Sequence, residues 1–528
     1  MERLVIRNGF VVDGTGAPGF FGDVVVEDDK VAEIVRDGSC ISSSDSCGAD
    51  SAIDAAGCLV TPGFIDSHAH SDAYLVIEPD APSKISQGVT TEVNGQCGGS
   101  AAPRYGEARL SSDWALLLGE RLTWRSFAEY RAALEAARPA LNVVAFVGHN
   151  TLRSSVVGYA GRPATEDETR RMIRLLEESL DAGAKGLTTG LIYQPGKYAT
   201  SEEVLSLATV AAKKGGIYTT HMRSEGDEIL EAIGEVEALA EKSGIRVEIS
   251  HLKTSGERNW GKINAVLEKI ESAMARGLFL GSDRYPYCAA GTDLDIVLPD
   301  WAQEGAAKAE CERLADAATR RRIKREIDAQ SRDWSKVMVG GTWCAETKPF
   351  SGRTIAEILE AGLSPSFSTP GELVCSILEK DLCRTGAFFF TMCEENLDKI
   401  LSRPWIVPGS DASLRAPWGP LGEDHPHPRA YGTMPEFYRR LRALGVSRED
   451  AVKRMSSVPA ERFGLRGRGV LEKGAFADVA VWREADFASA ATYSAPHAFS
   501  RGVVATVVNG NVAWRDGRPS PRRAGRFI

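Results

Sequence analysis

Between about residue 60 and residue 411, short apolar runs of strand character alternate with helical stretches, and that alternation most constrains the fold. Candidate strands end near His70, Asn94, Gly148, Thr189, His221, His251, Asp283–Tyr285, Thr391 and Asp411. That is one more than a closed barrel of eight parallel strands requires. The expected fold is therefore α/β, a TIM-like (β/α)8 barrel. In such barrels the C-terminal ends of the strands form the reactive face, so the residue types found there carry the argument about chemistry.

Those strand ends are rich in metal-binding side chains. The run Gly63-Phe64-Ile65-Asp66-Ser67-His68-Ala69-His70 places two histidines one residue apart. Side chains alternate along a strand, so His68 and His70 point the same way and form half of a metal site. The chain has only eight histidines, and four of them end strand-like runs: His68 and His70 one run, His221 and His251 one each. Asp411, in Trp405-Ile406-Val407-Pro408-Gly409-Ser410-Asp411, completes the set from the last strand. Imidazole, thiolate and carboxylate are the usual ligands of zinc, whose catalytic sites keep one position open for water.

The remaining composition excludes more than it assigns. Net charge is −9, and no basic cluster or arginine-rich helix marks a nucleic-acid partner. No run approaches the roughly 18 apolar residues of a membrane span, and the first residues lack an apolar segment of signal-peptide length. Ten cysteines without paired spacing read as reduced thiols of a cytoplasmic protein. The sequence leaves the oligomeric state open.

Several motifs carry a resemblance to the N-acyl-D-amino-acid deacylases, or D-aminoacylases, of the amidohydrolase superfamily. Thr61-Pro62-Gly63-Phe64-Ile65-Asp66 before the histidine pair resembles the superfamily's first barrel strand. Gly95-Gln96-Cys97-Gly98 resembles the deacylase Gly-Asn-Cys-Gly motif, with Gln96 in place of asparagine. Leu191 to Ala199, His221-Met222-Arg223-Ser224-Glu225, His251-Leu252-Lys253, Asp283-Arg284-Tyr285-Pro286-Tyr287 and His427-Pro428-Arg429-Ala430-Tyr431-Gly432-Thr433 resemble the same family. Gly469 to Trp482 is similar to the point where such chains re-enter a β-sandwich.

The resemblance implies a sandwich domain split between the chain ends, residues 1–61 plus 466–528. It implies a barrel over 62–465, with Leu278 to Asp283 as the seventh strand. Residues 286–350 then form an insertion whose charged stretch, Ala306 to Arg332, is a candidate lid, and Phe388 to Thr391 is an extra element before strand eight. The stretch 37–51, rich in Ser, Asp, Gly and Cys, reads as a loop.

The resemblance also implies roles. Cys97, His221 and His251 would hold one tight Zn2+. His68 and His70, with Asp411 nearby, would form a second, weaker site or shape the first. Asp411 would be the catalytic base, and Lys253, Tyr285 and Arg429, with Tyr193, would bind the substrate, an N-acyl-D-amino acid. Lys185 reads as structural or peripheral, although it lies near the position where a carboxylated lysine bridges two metals in hydantoinases. His149 reads as a supporting hydrogen-bond partner, His425 and His427 as loop residues or as supports just behind the metal-binding side chains, and His497 as surface. Leu414 to Pro420 and Ala289 to Thr292 depart from the family pattern where the acyl group or side chain is expected to bind. The rival readings are a cyclic-amide hydrolase, a dipeptidase acting on a C-terminal D-residue, and a non-catalytic scaffold of the same fold.

Overall fold

The computed structural model describes residues 3–36, 52–109, 112–363 and 366–528. The stretch 37–51, expected as a loop, lies outside the described residues.

Eight parallel strands form the barrel: Phe64–Asp66, Val89–Asn94, Asn142–Ala145 continued by Val147–Gly148, Gly186–Gly190, Ile217–His221, Arg246–Ile249, Leu280–Arg284 and Ile406–Pro408. The third strand is interrupted at Phe146, so its first part pairs with strand two and its second with strand four. The ring closes where strand eight returns to strand one, through Ser67 N–H donating to Pro408 O and a parallel bridge between Ala69 and Ala412. Strand seven is Leu280–Arg284, hydrogen-bonded to strands six and eight.

Both chain ends build one sheet of nine strands, the β-sandwich domain. Its joint is the strand Val479–Trp482, antiparallel to Leu59–Pro62. Alternation along this strand serves two cores. Val479 and Val481 pack inside the sandwich with Val24, Val26 and Val60. Ala480 and Trp482 face the barrel, where the indole packs against Phe487, Tyr438 and Phe64 and donates to Thr61 Oγ1. The C-terminal segment is not all sandwich, as the expected 466–528 boundary had it. Residues 526–528 run beside Val143 of barrel strand three, and Tyr493 reaches the barrel's active face.

The inserted unit runs past residue 350. Strands Ala290–Asp293, Val337–Val339 and Gly386–Phe389 form a separate antiparallel sheet. Its core joins Leu294 and Val339 to Ile355, Ile358, Leu373, Ile377 and Leu378. A boundary at 350 would cut that core in two. Phe388 and Phe389 therefore belong to the insertion, which explains the ninth strand-like run. Ala306 to Arg332 folds as two helices, Ala306–Ala315 and Ala317–Asp328. Leu314, Ile323 and Ile327 go into the inserted core, and Arg320 and Lys324 pair with Glu379 and Glu372 on a neighbouring helix.

No helix among the described residues is long and apolar enough to cross a membrane. The eight described cysteines are all free.

Candidate metal centre on the barrel's active face

Strand two ends in a turn that only small residues allow. Gly95 has φ +78°, and a Cβ there would sit 2.4 Å from Phe146 O. The turn carries Cys97 into the barrel mouth, itself at φ 51°. His251 and Asp411 also hold left-handed backbone, at φ 36° and 49°. Non-glycine residues adopt this region only where their surroundings enforce it, and such strain clusters at functional sites.

The side chains converge. Cys97 Sγ lies 3.3 Å from His68 Nε2 and 3.3 Å from His251 Nε2. The His221 and His251 rings are 4.5 Å apart, nearly perpendicular. His70 Nε2 and His68 Nε2 lie 3.0 and 3.4 Å from Asp411 Oδ1. Two overlapping groups have all their donor atoms within 4.8 Å of one another: Cys97 with His221 and His251, and His68 with His70, Cys97 and Asp411. The first is a thiolate–bis-imidazole set, which suits a borderline-soft divalent ion such as zinc. His221 is buried; among the described residues its Nδ1 has no hydrogen-bond partner, and its Nε2 meets only the Glu225 carboxylate, at 3.5 Å, and the Cys97 thiol. An imidazole left so is fitted to ligate.

Electrostatics favour the anionic thiolate and carboxylate. Against the opposing effect of burial, the surrounding anions raise His68 well above the imidazole range, His70 to about 9 and His251 to about 10, so a metal bound here would displace protons from these rings. Burial alone would raise the Cys97 thiol, but the His68 and His251 imidazoles outweigh it and hold the thiol well below its ordinary range. Burial is likewise outweighed at Asp411, where the Arg429 guanidinium and His251 keep the carboxyl well below the usual value.

Residues with no role assigned from sequence orient this set. Asp283 Oδ2 lies 3.1 Å from His68 Nδ1, and its Oδ1 accepts from His251 N–H at 3.0 Å. A carboxylate only accepts, so His68 keeps its proton on Nδ1 and turns Nε2 to the site. Glu225 is largely buried, its side chain 11% exposed; its Oε1 lies 2.9 Å from His251 Nδ1, its Oε2 lies 3.5 Å from His221 Nε2, and it accepts from Lys253. Its one signal in the sequence is its place four residues after His221.

The expected substrate-binding residues gather on one side. Lys253 Nζ is 2.7 Å from His251 Nδ1. The Tyr285 ring is fully buried, with the Arg284 and Arg429 guanidiniums 4.1 and 4.6 Å from its centroid. Arg429 Nη1 reaches Asp411 Oδ2 at 2.8 Å. The Tyr193 ring lies 4.9 Å from His221. Thr292 and Gly291, from the departing stretch Ala289 to Thr292, touch Tyr193 and Arg429. Leu414 and Ala416, from the other departing stretch, are instead buried in the barrel core.

Other candidates fall outside. Lys185 N–H donates to Ala145 O, and Lys185 O accepts from Ile217 N–H, at the start of strands four and five. His221 ends strand five, so Lys185 lies at the opposite mouth, about four residues at ~3.3 Å each along the strand. His149 is buried and pairs with Glu203 at 2.9 Å. His427 is buried among Tyr285, Tyr287, Phe388 and Tyr493, and its Nδ1 accepts from Arg429 N–H. His425 meets Tyr493 O at 2.7 Å. His497 is half-buried against Asp424 and Tyr431 rather than free at the surface.

Residues 51–513 match the amidohydrolase family. Over 99% of its length the chain is 34% identical to D-aminoacylase of Alcaligenes xylosoxydans xylosoxydans, covering 97% of that protein. The chain belongs to the D-aminoacylase family of the amidohydrolases. Solved structures of this family superpose closely. One is a D-aminoacylase whose binuclear metal centre is described by one-metal activation and second-metal attenuation (TM-score 0.81, 34% identity, 99% of both chains). Another is N-acyl-D-glutamate deacylase of Bordetella bronchiseptica, complexed with zinc and a phosphonate mimic of the tetrahedral intermediate (TM-score 0.81, 33% identity, 99% and 98% covered). D-Hydantoinase, at 15% identity and TM-score 0.56, shares the fold alone.

Proposed function

We propose that this D-aminoacylase-family chain is a zinc-dependent N-acyl-D-amino-acid deacylase, hydrolysing the amide to a carboxylate and a free D-amino acid. The observation that carries the reading is the thiolate–bis-imidazole set of Cys97, His221 and His251, with Asp411 and a cationic cluster beside it. Cys97, His221 and His251 hold the tight zinc, and His68, His70 and Asp411 form a weaker second site. Bound zinc supplies Lewis acidity to the amide carbonyl and a water acidic enough to lose its proton near neutral pH.

The chain's own groups do the rest. Asp411 takes the water's proton and passes it to the leaving amine nitrogen. Arg429, Lys253 and Tyr285 hold the α-carboxylate by a guanidinium fork, an ammonium and a phenol. With the carboxylate fixed on that side, the amide of one enantiomer alone reaches the metal, which supports D-selectivity. Tyr193 stands over His221, where it borders the acyl side. The partner is thus a small-molecule substrate. The position of Lys185 at the far mouth argues against a carboxylated-lysine centre and so against the cyclic-amide reading.

The experiment pairs zinc analysis of the purified protein with a screen of N-acetyl-D- against N-acetyl-L-amino acids. About one zinc per chain and hydrolysis of D-substrates alone are expected. Hydrolysis of hydantoins or dihydropyrimidines in preference to linear amides would overturn the proposal.

A further inference from the structure

Lys84 is 0% exposed, and its ammonium is surrounded by four acceptors. Asp66 Oδ2 and Glu92 Oε1 lie at 2.8 Å, Ser410 Oγ at 2.9 Å and Ala412 O at 3.0 Å. Asp66 and Glu92 are on strands one and two. Ser410 and Ala412 flank Asp411 on either side. The far oxygen of the Asp66 carboxylate, Oδ1, accepts from Ser410 N–H at 2.8 Å and from His68 N–H at 3.4 Å.

We infer that Lys84 is a positioning residue for Asp411. The inference rests on the deacylase reading, in which Asp411 moves the proton. Asp411 sits in the left-handed region, and its own N–H donates to His68 O at 2.8 Å. Such a backbone persists only where neighbours fix it. Here the neighbours are fixed by one ammonium: Ala412 through its carbonyl, Ser410 through its hydroxyl and, by way of Asp66, through its amide. The same contacts lie at the seam where the barrel closes. A buried ammonium is tolerated only when fully paired, and lysine's compact charge with three rotatable donors matches acceptors arriving from three strands. A planar guanidinium would not.

The test uses the zinc-loaded full chain with an N-acetyl-D-amino acid that the unmutated enzyme hydrolyses. Ser410→Ala keeps the charge pairing but removes the hydroxyl next to Asp411. Its kcat is expected to fall at least tenfold with KM within twofold and the tight zinc retained, and Ser410→Thr should recover most of the loss. In an Asp411→Asn background, Ser410→Ala should lower kcat no further. Lys84→Met should show the same pattern more strongly. Because that variant leaves two carboxylates unpaired and can fail to fold, Ser410→Ala decides the matter alone if it does. Normal kcat in Ser410→Ala, or losses that add to those of Asp411→Asn, would overturn the inference while leaving the deacylase reading intact. Full turnover by Asp411→Asn would instead overturn the reading beneath it. A crystal structure of Ser410→Ala gives a readout without activity: an Asp411 carboxylate unmoved from its place beside His68 and His70 would overturn the positioning role.

Discussion

Arg429 Nη1 lies 2.8 Å from Asp411 Oδ2, so the guanidinium expected to grip the substrate's carboxylate also touches the expected base. Arg429 opens the helix Arg429–Ala443, and its N–H donates to His427 Nδ1. Clamp and base therefore meet across two elements, the start of this helix and the turn after strand eight. Arg429→Met should raise KM and lower kcat/KM by about 10- to 150-fold, the equivalent of the ~1.5–3 kcal/mol of a hydrogen bond to a charged group. It should also weaken the D-over-L preference. Steady-state kinetics on both enantiomers check this, with the methyl ester of the substrate as a control: the unmutated enzyme should hydrolyse the ester poorly.

Asp411→Asn keeps the carboxamide where the carboxylate was and removes the proton acceptor. The tight zinc should remain and kcat should fall by about 10²–10⁴-fold, the usual contribution of a positioned acid–base group. Metal content and kcat measured on one preparation separate lost chemistry from lost metal.

Cys97 should supply the sulfur of the tight site. X-ray absorption of the loaded protein should give a zinc–sulfur distance of about 2.3 Å. Cys97→Ala should lose both the sulfur signal and the tight zinc; retention of full zinc and activity would count against the assignment.

Asp283 touches no expected substrate group, yet it fixes two ligands. Asp283→Asn changes the partner of His68 Nδ1 from a carboxylate to an amide. Loss of such an orienting group costs on the order of 10–100-fold in metal affinity or activity. Competition with a chelator reads the affinity, and titration of activity with added zinc shows whether turnover returns.

The insertion has its own pH dependence. The Asp295 and Glu310 carboxyls are close neighbours within it. Burial, with the Glu310 carboxyl beside it, holds Asp295 well above the carboxylate range, and burial pushes Glu310 up to about 7. Raised carboxyls bind more protons folded than unfolded, so their stabilising effect is greatest below the unfolded value of about 4.3 and fades as pH rises to about 7. Thermal unfolding should show the insertion losing stability between pH 5 and 8. In Glu310→Gln that slope should flatten.

The candidate ligands were legible because each is a rare residue type at a strand end, where the barrel gathers side chains: His68, His70, His221 and His251 among eight histidines, and Cys97 in a glycine turn. Their supports were not. Glu225, Asp283, Asp66 and Glu92 are four of 72 acidic residues, and nothing local separates a buried carboxylate from a solvated one. Lys84 sits on a four-residue helix too short to show a face. Phe388 and Phe389 read as a barrel strand because a short apolar run looks alike in either sheet; only pairing with Gly291 and Ala290 assigns it.

The strand Val479–Trp482 has a further consequence, in the order of events during synthesis. Its partner Leu59–Pro62 leaves the ribosome roughly 400 residues earlier, and at about 5–20 residues per second the gap is on the order of 20–80 s. Through that interval the edge of Leu59–Pro62 and the apolar side chains awaiting Trp482 stay uncovered. The nascent chain is then most exposed to aggregation, and a ribosome that stalls before residue 479 leaves a barrel with an open flank.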